Sequence, residues 1–370
     1  MTCLPSPAAH TLRLPDAPER RSTPEDLGYR RLMVQGSRPH HTVIVADFPI
    51  DAADVLAATD HLGGLPTTLH VLRPAEQTLG QQLRARGVDL ATEHVSTHVL
   101  HACNQTLKLA EALQDEAPYN DLCAIGLPRS DHHRPEAARR HALEMLRLVS
   151  RTDFAAQGHI ADRFYALLER ARPYTVQIET PGGRLVVEDD DRWFNIAGPL
   201  IDGDVRGLPG GEVAYAGREV SGSFVIDGAL LASPLGHEPR TEALADQVNA
   251  LSARIPSDPL TVVVERARVR SVTSRGPLAR ELMALLHRPV YQVVSEVGVA
   301  FNQAASRFIY DWAAPSNESR PGVHIALGGE LDAERRTEEF AWGLLHVDLM
   351  AATTRVSVNG APFIETWASA

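Results

Sequence analysis

The sequence predicts an α/β protein: an N-terminal α/β domain on a parallel sheet, followed by a β-rich α+β domain. Three observations carry this. Between residues 42 and 148 short apolar runs alternate with helical stretches, the pattern of βαβ units. From Pro173 onward strand patterns dominate. Within that second half, isolated acids and histidines stand inside otherwise apolar strands.

At 370 residues the chain is long for a single core, so two domains are expected. The expected division is a poorly ordered arm over 1–40, rich in Pro and Arg; an α/β domain over 41–157; and a second domain over 158–370. The composition, 44% hydrophobic and 22% charged, is that of a soluble globular protein. The longest apolar runs fall far short of the ~20 residues a membrane span needs, so no membrane partner is expected. A net charge of −11 argues against nucleic acid as a partner and leaves room for a cation or a small substrate. Cys3, Cys103 and Cys123 form no C-x-x-C pair. Such sparse thiols, and a start lacking a basic, apolar leader, point to the cytoplasm.

Taken in order, T-V-I-V-A-D-F at 42–48 reads as a buried parallel strand and 51–61 as a helix ending at Gly63-Gly64. Strands at 67–72, 96–102 and 121–126 alternate with helices at 76–86, 104–114 and 134–148. No G-x-G-x-x-G follows the first strand, so this half reads as scaffold rather than a nucleotide site. A helix at 158–171 leads into the second half. There, 174–180 and 184–189 form a hairpin around Pro181-Gly182-Gly183. Strand stretches follow at 222–232, 260–274 and 293–302, with a helix at 276–287. Asn359-Gly360 marks a final hairpin within 354–369.

Five residues of the second half have the right chemistry for a metal. His346 and Asp348 are two apart, so on a strand an imidazole and a carboxylate project side by side while Val347 turns away. His324 lies in a second apolar run and could add a third ligand. Such nitrogen and oxygen ligands suit zinc, cobalt, manganese or ferrous iron. Glu296 is embedded in Val and Ala; it either faces water or is buried against a partner or a metal, because an unpaired buried carboxylate is costly. Glu212 follows Gly210-Gly211 and by itself reads as a solvated strand-end carboxylate before it reads as a ligand.

These residues stand in four short motifs: P-G-G-E-V at 209–213, E-V-G-V-A-F-N at 296–302, G-V-H-I-A-L-G at 322–328 and H-V-D-L at 346–349. The set resembles the metal-binding stretches of the aminopeptidases T and S and related bacterial leucyl aminopeptidases, whose forms are P-x-G-E-V, E-x-G-x-G-x-N, G-x-H-x-A-x-G and H-x-D-L. The resemblance covers about 171–370. It implies a C-terminal metal-binding catalytic domain in which Glu212, Glu296, His324, His346 and Asp348 hold divalent ions, Glu212 and Glu296 serve catalysis, and the protein is a homodimer. The chain departs from the pattern at Ala300, which replaces a glycine, and at Tyr215-Ala216-Gly217, where the family carries T-A-P. The tyrosine that the family places after the first histidine motif is missing between His324 and His346. Tyr215, Arg192 and Glu330 are therefore candidates, by proximity in sequence, for contacts to substrate or for the acid.

The implied activity is a metal-dependent hydrolase cleaving an amide or N-terminal peptide bond of a small-molecule or peptide substrate through metal-activated water. A ferrous-iron dioxygenase that opens the ring of 2,5-dihydroxypyridine is the alternative on a similar fold, using two histidines and one carboxylate. A specialised biosynthetic enzyme using the same site falls within the first reading. A third reading, a metal-stabilised binding module, fits less well: structural zinc sites usually use cysteine, and this set has none.

Overall fold

The structure is a computed structural model that describes residues 40–59, 67–74, 77–102, 104–117, 119–188, 192–196, 205–235, 239–329 and 345–366. The expected arm over 1–40 lies outside them, except that His40 opens the first strand.

Four βα units open the described chain: β1 (His40–Ala46), α1 (Ala52–Ala58), β2 (Thr67–Leu72), α2 (Leu79–Arg84), β3 (His94–His101), α3 (Asn104–Gln114), β4 (Asn120–Gly126) and α4 (Pro135–Arg151). The first two helices start where side chains satisfy their free N–H groups. Asp51 and Asp54 form a reciprocal cap at α1, and Thr78 and Gln81 do so at α2. The strands pair in parallel and are covered on both faces. Ile44, Leu100 and Ile125 pack against Val55 of α1 and Leu146 of α4. Val43, Val99 and Leu122 pack against Leu83 of α2 and Leu113 of α3. Cys123 is a buried free thiol in this packing.

The second half runs α5 (Phe154–Arg170), β5 (Thr175–Thr180), β6 (Gly183–Glu188), β7 (Trp193–Asn195), β8 (Val205–Leu208), β9 (Glu212–Tyr215), β10 (Val220–Ile226) and β11 (Leu230–Pro234). It continues with α6 (Pro239–Asn249), β12 (Leu260–Glu265), β13 (Arg268–Thr273), α7 (Leu278–Leu285), β14 (Val294–Ala300), α8 (Ser316–Ser319), β15 (Gly322–Gly328), β16 (Leu345–Ala351), β17 (Arg355–Val358) and β18 (Ala361–Glu365). These strands form two antiparallel sheets, ordered β13-β12-β10-β6-β5-β17-β18 and β11-β16-β15-β14-β9-β7. Val176, Ile178, Val187 and Phe224 of the first share one core with Val297, Val299, Ile325 and Val347 of the second, closed by Phe164 of α5 and Leu282 of α7. The α/β fold with a parallel sheet and a β-rich second half is thus the observed one.

Three local features differ from the sequence reading. The stretch before Glu212, which the sequence reading assigns to no strand, contains β8, which pairs in parallel with β4 and extends the N-terminal sheet. The 222–232 stretch is two strands, because Asp227 and Gly228 break it. Asp227 Oδ1 accepts the N–H groups of Ala352 and Thr353 and holds the corner. The 260–274 stretch folds back on itself at Arg266 and Ala267, both with positive φ. The Asn359-Gly360 turn is present, with φ of 45° and 80°. Among the described residues no helix is long and apolar enough to cross a membrane.

Candidate metal centre

The six-stranded sheet has two unlike faces, and period-two alternation assigns each residue to one of them. Cross-strand partners share a face. Glu212 pairs with Ala300, His324 with Gly298, Glu296 and Asp348 both with Ala326, and His346 with Gly328. All five predicted ligands therefore lie on one face, separated by Ala and Gly. The residues between them, Val213, Val297, Val323, Ile325 and Val347, point into the hydrophobic core.

A β-bulge makes this consistent on β14. Val294 pairs with Leu327 in the core, yet two residues on Glu296 pairs with Ala326 on the ligand face. The extra residue, Ser295, reverses the alternation and turns Glu296 out of the core.

The cluster is compact and buried. Glu212 Oε2 lies 3.8 Å and Glu296 Oε1 3.9 Å from His324 Nε2. On the other side, Glu296 Oε2 lies 3.6 Å and Asp348 Oδ1 3.1 Å from His346 Nε2. Glu296 is thus shared, with one oxygen toward each histidine. Two ligand atoms held ~2.1 Å from one ion lie at most ~4.2 Å apart, so each of these pairs could close on a single ion. Ligand atoms of Glu212, Glu296 and His324 all come within 4.8 Å of one another. Glu212 Oε2 is buried with no hydrogen-bond partner among the described residues. An acceptor left in that state is costly, and a cation would satisfy it. The donor set therefore fits divalent metal.

Neighbours orient the ligands. His346 Nδ1–H donates to the Gly329 carbonyl at 2.8 Å, leaving Nε2 to face the cluster. The His324 ring lies flat on Gly298, where a Cβ would sit 2.1 Å from a ring carbon. Any other residue there would push the imidazole away. Gly211, at φ +98°, closes the approach to Glu212; a Cβ there would meet Gln157 and Asn302.

The electrostatics are those of acids and imidazoles sharing few protons. Burial pushes Glu212 up to about 7, with Glu296 and Asp348 adding to the effect and His324 opposing it. Burial works against a charged His324, but the neighbouring carboxylates of Glu296, Glu212 and Asp348 raise it to about 9. His346 overcomes the same burial penalty through Asp348 and Glu296 and reaches about 10. Asp348 is held low despite its burial, chiefly by His346. Without metal, the imidazolium groups partly neutralise the carboxylates.

A sixth group belongs here that the sequence reading missed. Glu318, on the single turn α8, sits against Asp348 and near Glu212 and Glu296. Burial and these charges hold its carboxyl well above the usual range. Nothing periodic marks it, since it lies in the irregular segment between β14 and β15.

Of the three predicted substrate contacts, the two that are described, Tyr215 and Arg192, do not join the cluster. Tyr215 is a correction: it lies on the core face, fully buried against Trp193, with its hydroxyl accepting the Glu219 N–H at 2.9 Å. Arg192 is exposed and level with Ala216 on the edge of the sheet, roughly 13 Å along the strand from Glu212. Glu330 lies outside the described residues.

No protein-family model matches the chain, and no curated protein does. Two solved structures are similar to it at low identity. One is 2,5-dihydroxypyridine dioxygenase from Pseudomonas putida KT2440, with 12% identity, 88% of this chain and 89% of that one covered, and a TM-score of 0.49. The other is wild-type AmpT from Thermus thermophilus, with 17% identity, 92% and 96% covered, and a TM-score of 0.48. Such likenesses say nothing of the chemistry, which rests on the residues of this chain.

Proposed function

We propose that the protein is a metal-dependent hydrolase of the aminopeptidase type, cleaving an amide or N-terminal peptide bond in a small-molecule or peptide substrate. The observation that supports this reading best is the position of Glu296, one oxygen toward His324 and Glu212, the other toward His346 and Asp348. That arrangement suits two ions sharing a carboxylate. Glu212 and His324 would hold one ion, His346 and Asp348 the other. Bound divalent metal supplies a Lewis acid for the carbonyl and lowers the pKa of water to near neutrality. Glu318, beside Asp348 and with its carboxyl raised by burial, would be the candidate acid for the departing amine, in place of the family tyrosine that this chain lacks. The apolar face beneath keeps the ligand strands rigid and dry, which strengthens each charge interaction.

The iron dioxygenase reading needs two histidines and one carboxylate with open positions. His324, His346 and Asp348 could supply that set, but it leaves Glu212 and Glu296 as surplus buried acids. Zinc, cobalt and manganese are the metals proposed, iron the alternative. A cytoplasmic homodimer is proposed on the sequence reading and the family resemblance alone.

The test is turnover of a panel of amino-acid amides, before and after chelation, with each metal restored in turn. Turnover that vanishes on chelation and returns with zinc, cobalt or manganese supports the proposal. Oxygen consumption on a dihydroxylated aromatic ring with ferrous iron, and no amide cleavage, overturns it.

A further inference from the structure

A cavity of about 320 Å³ lies where the two halves meet. Its walls come from the carboxyl ends of β3 and β4, from β11 and from α6. The carboxyl ends of parallel strands are where open α/β sheets commonly bind ligands. Two features tie this cavity to the metal centre. Glu318 lines it and also sits against Asp348. On β11, the lining residues Leu231 and Ser233 are the cross-strand partners of Asp348 and His346. The cavity therefore borders the ligand face, with Glu318 between it and Asp348.

Its chemistry is uneven. Leu127, Leu231 and Pro234 give apolar walls; the carboxylates are Glu318 at the inner end and Glu242 and Asp246 on α6, and His101 at the end of β3 is the one basic side chain among the described lining residues. Glu242 and Asp246 are four apart and so share one helix face. Asn249, one turn on, fixes α6 to β11 by a bond in each direction with Ala232. Arg134 lies 3.8 Å from Asp246 Oδ2, both side chains well exposed, so the pair is weak. Glu242 has no ion pair among the described residues.

We infer that this cavity is the substrate pocket of the metal centre, and that it takes an aliphatic chain ending in a cation, an ammonium or a guanidinium, on the substrate's side away from the bond that is cut. The inference rests on the hydrolase reading for the word substrate, but not for binding. Apolar walls accept the methylenes, and the α6 carboxylates take the charged head. A neutral chain of equal length loses that contact, and an anionic one meets like charge.

The experiment uses the full chain and two readouts. The first is calorimetric binding of agmatine, with pentylamine as the probe lacking the second cation, to wild type, Glu242→Gln and Glu242→Lys. Agmatine is expected to bind at least tenfold more tightly than pentylamine to the wild type, to lose most of that advantage with Glu242→Gln, and to lose all of it with Glu242→Lys. The second readout is KM for lysinamide against norleucinamide, which share the α-amine and differ in the terminal cation. A lower KM for lysinamide, abolished by Glu242→Gln at unchanged metal content, agrees with the proposal. Equal binding of the two probes, or agmatine binding indifferent to both variants, overturns it. If amides are not cleaved but agmatine binding depends on Glu242, the hydrolase reading fails and the cation pocket stands. If amides are cleaved with no preference for lysinamide, the pocket assignment fails alone.

Discussion

The parallel sheet and the six-stranded antiparallel sheet are both buried along their central strands, but they use burial differently. In the parallel sheet, Ile44 and Leu100 on one face and Val43 and Val99 on the other all pack against helices. In the antiparallel sheet, Val297, Ile325 and Val347 bury one face in hydrocarbon, while Glu296, His324, His346 and Asp348 bury the other among charges. The second arrangement stays folded only if the charges compensate one another or bind a cation. Burial alone therefore does not mark a scaffold: β14, β15 and β16 are buried throughout and carry the chemistry.

The largest effect expected is at the shared carboxylate. Glu296→Ala should lower amide turnover by roughly three orders of magnitude or more, read as kcat under saturating metal, since both ion positions lose a ligand. Activity within tenfold of wild type would remove Glu296 from the centre. Next is Gly298→Ala, which adds only a methyl group but displaces the His324 ring. Metal affinity should fall about 10- to 100-fold by competition with a chelating dye, with the fold retained by circular dichroism. Unchanged affinity would mean that the imidazole is not held against β14.

A pH series separates the two sheets another way. Glu212 at about 7, against 4.5 as its ordinary value, and His324 and His346 at about 9 and 10, against 6.5, all favour protons in the folded, metal-free chain. The stability they contribute is fully present below the ordinary values and is lost as pH rises, first through 7 and then through 9 and 10. Metal needs the deprotonated ligands, so its stabilisation should grow with pH. The midpoint of thermal unfolding without metal should thus fall between pH 6 and 8.5, and the gain on adding zinc should increase over the same interval. A metal-free midpoint that rises would contradict the charge balance described here. The smallest effect is on the opposite face: Ile325→Val should cost about 1 kcal/mol in denaturant unfolding and leave metal affinity unchanged.

The ligand strands could be read from the sequence because a two-residue period is local. His346 and Asp348 declare a shared face by spacing, and Glu296 stands out as an acid among valines. The same period could have excluded Tyr215, which is three positions from Glu212 and so belongs to the other face. Sequence proximity was the wrong criterion for it, and for Arg192. Other features depend on non-local geometry. The Ser295 bulge is set by pairing with β15, and β8 by pairing with β4. Glu318 reaches the cluster from a single helical turn that has no period to follow. The Gly298 requirement exists only because His324 lies across the strand from it.

The most direct test of the account is the metal content of the full chain, purified without chelator, for wild type and Glu296→Ala. A centre built on a shared Glu296 should hold close to two divalent ions per wild-type chain, zinc, cobalt or manganese, falling to one or none when that carboxylate is removed. One iron per chain, kept in Glu296→Ala, would contradict it.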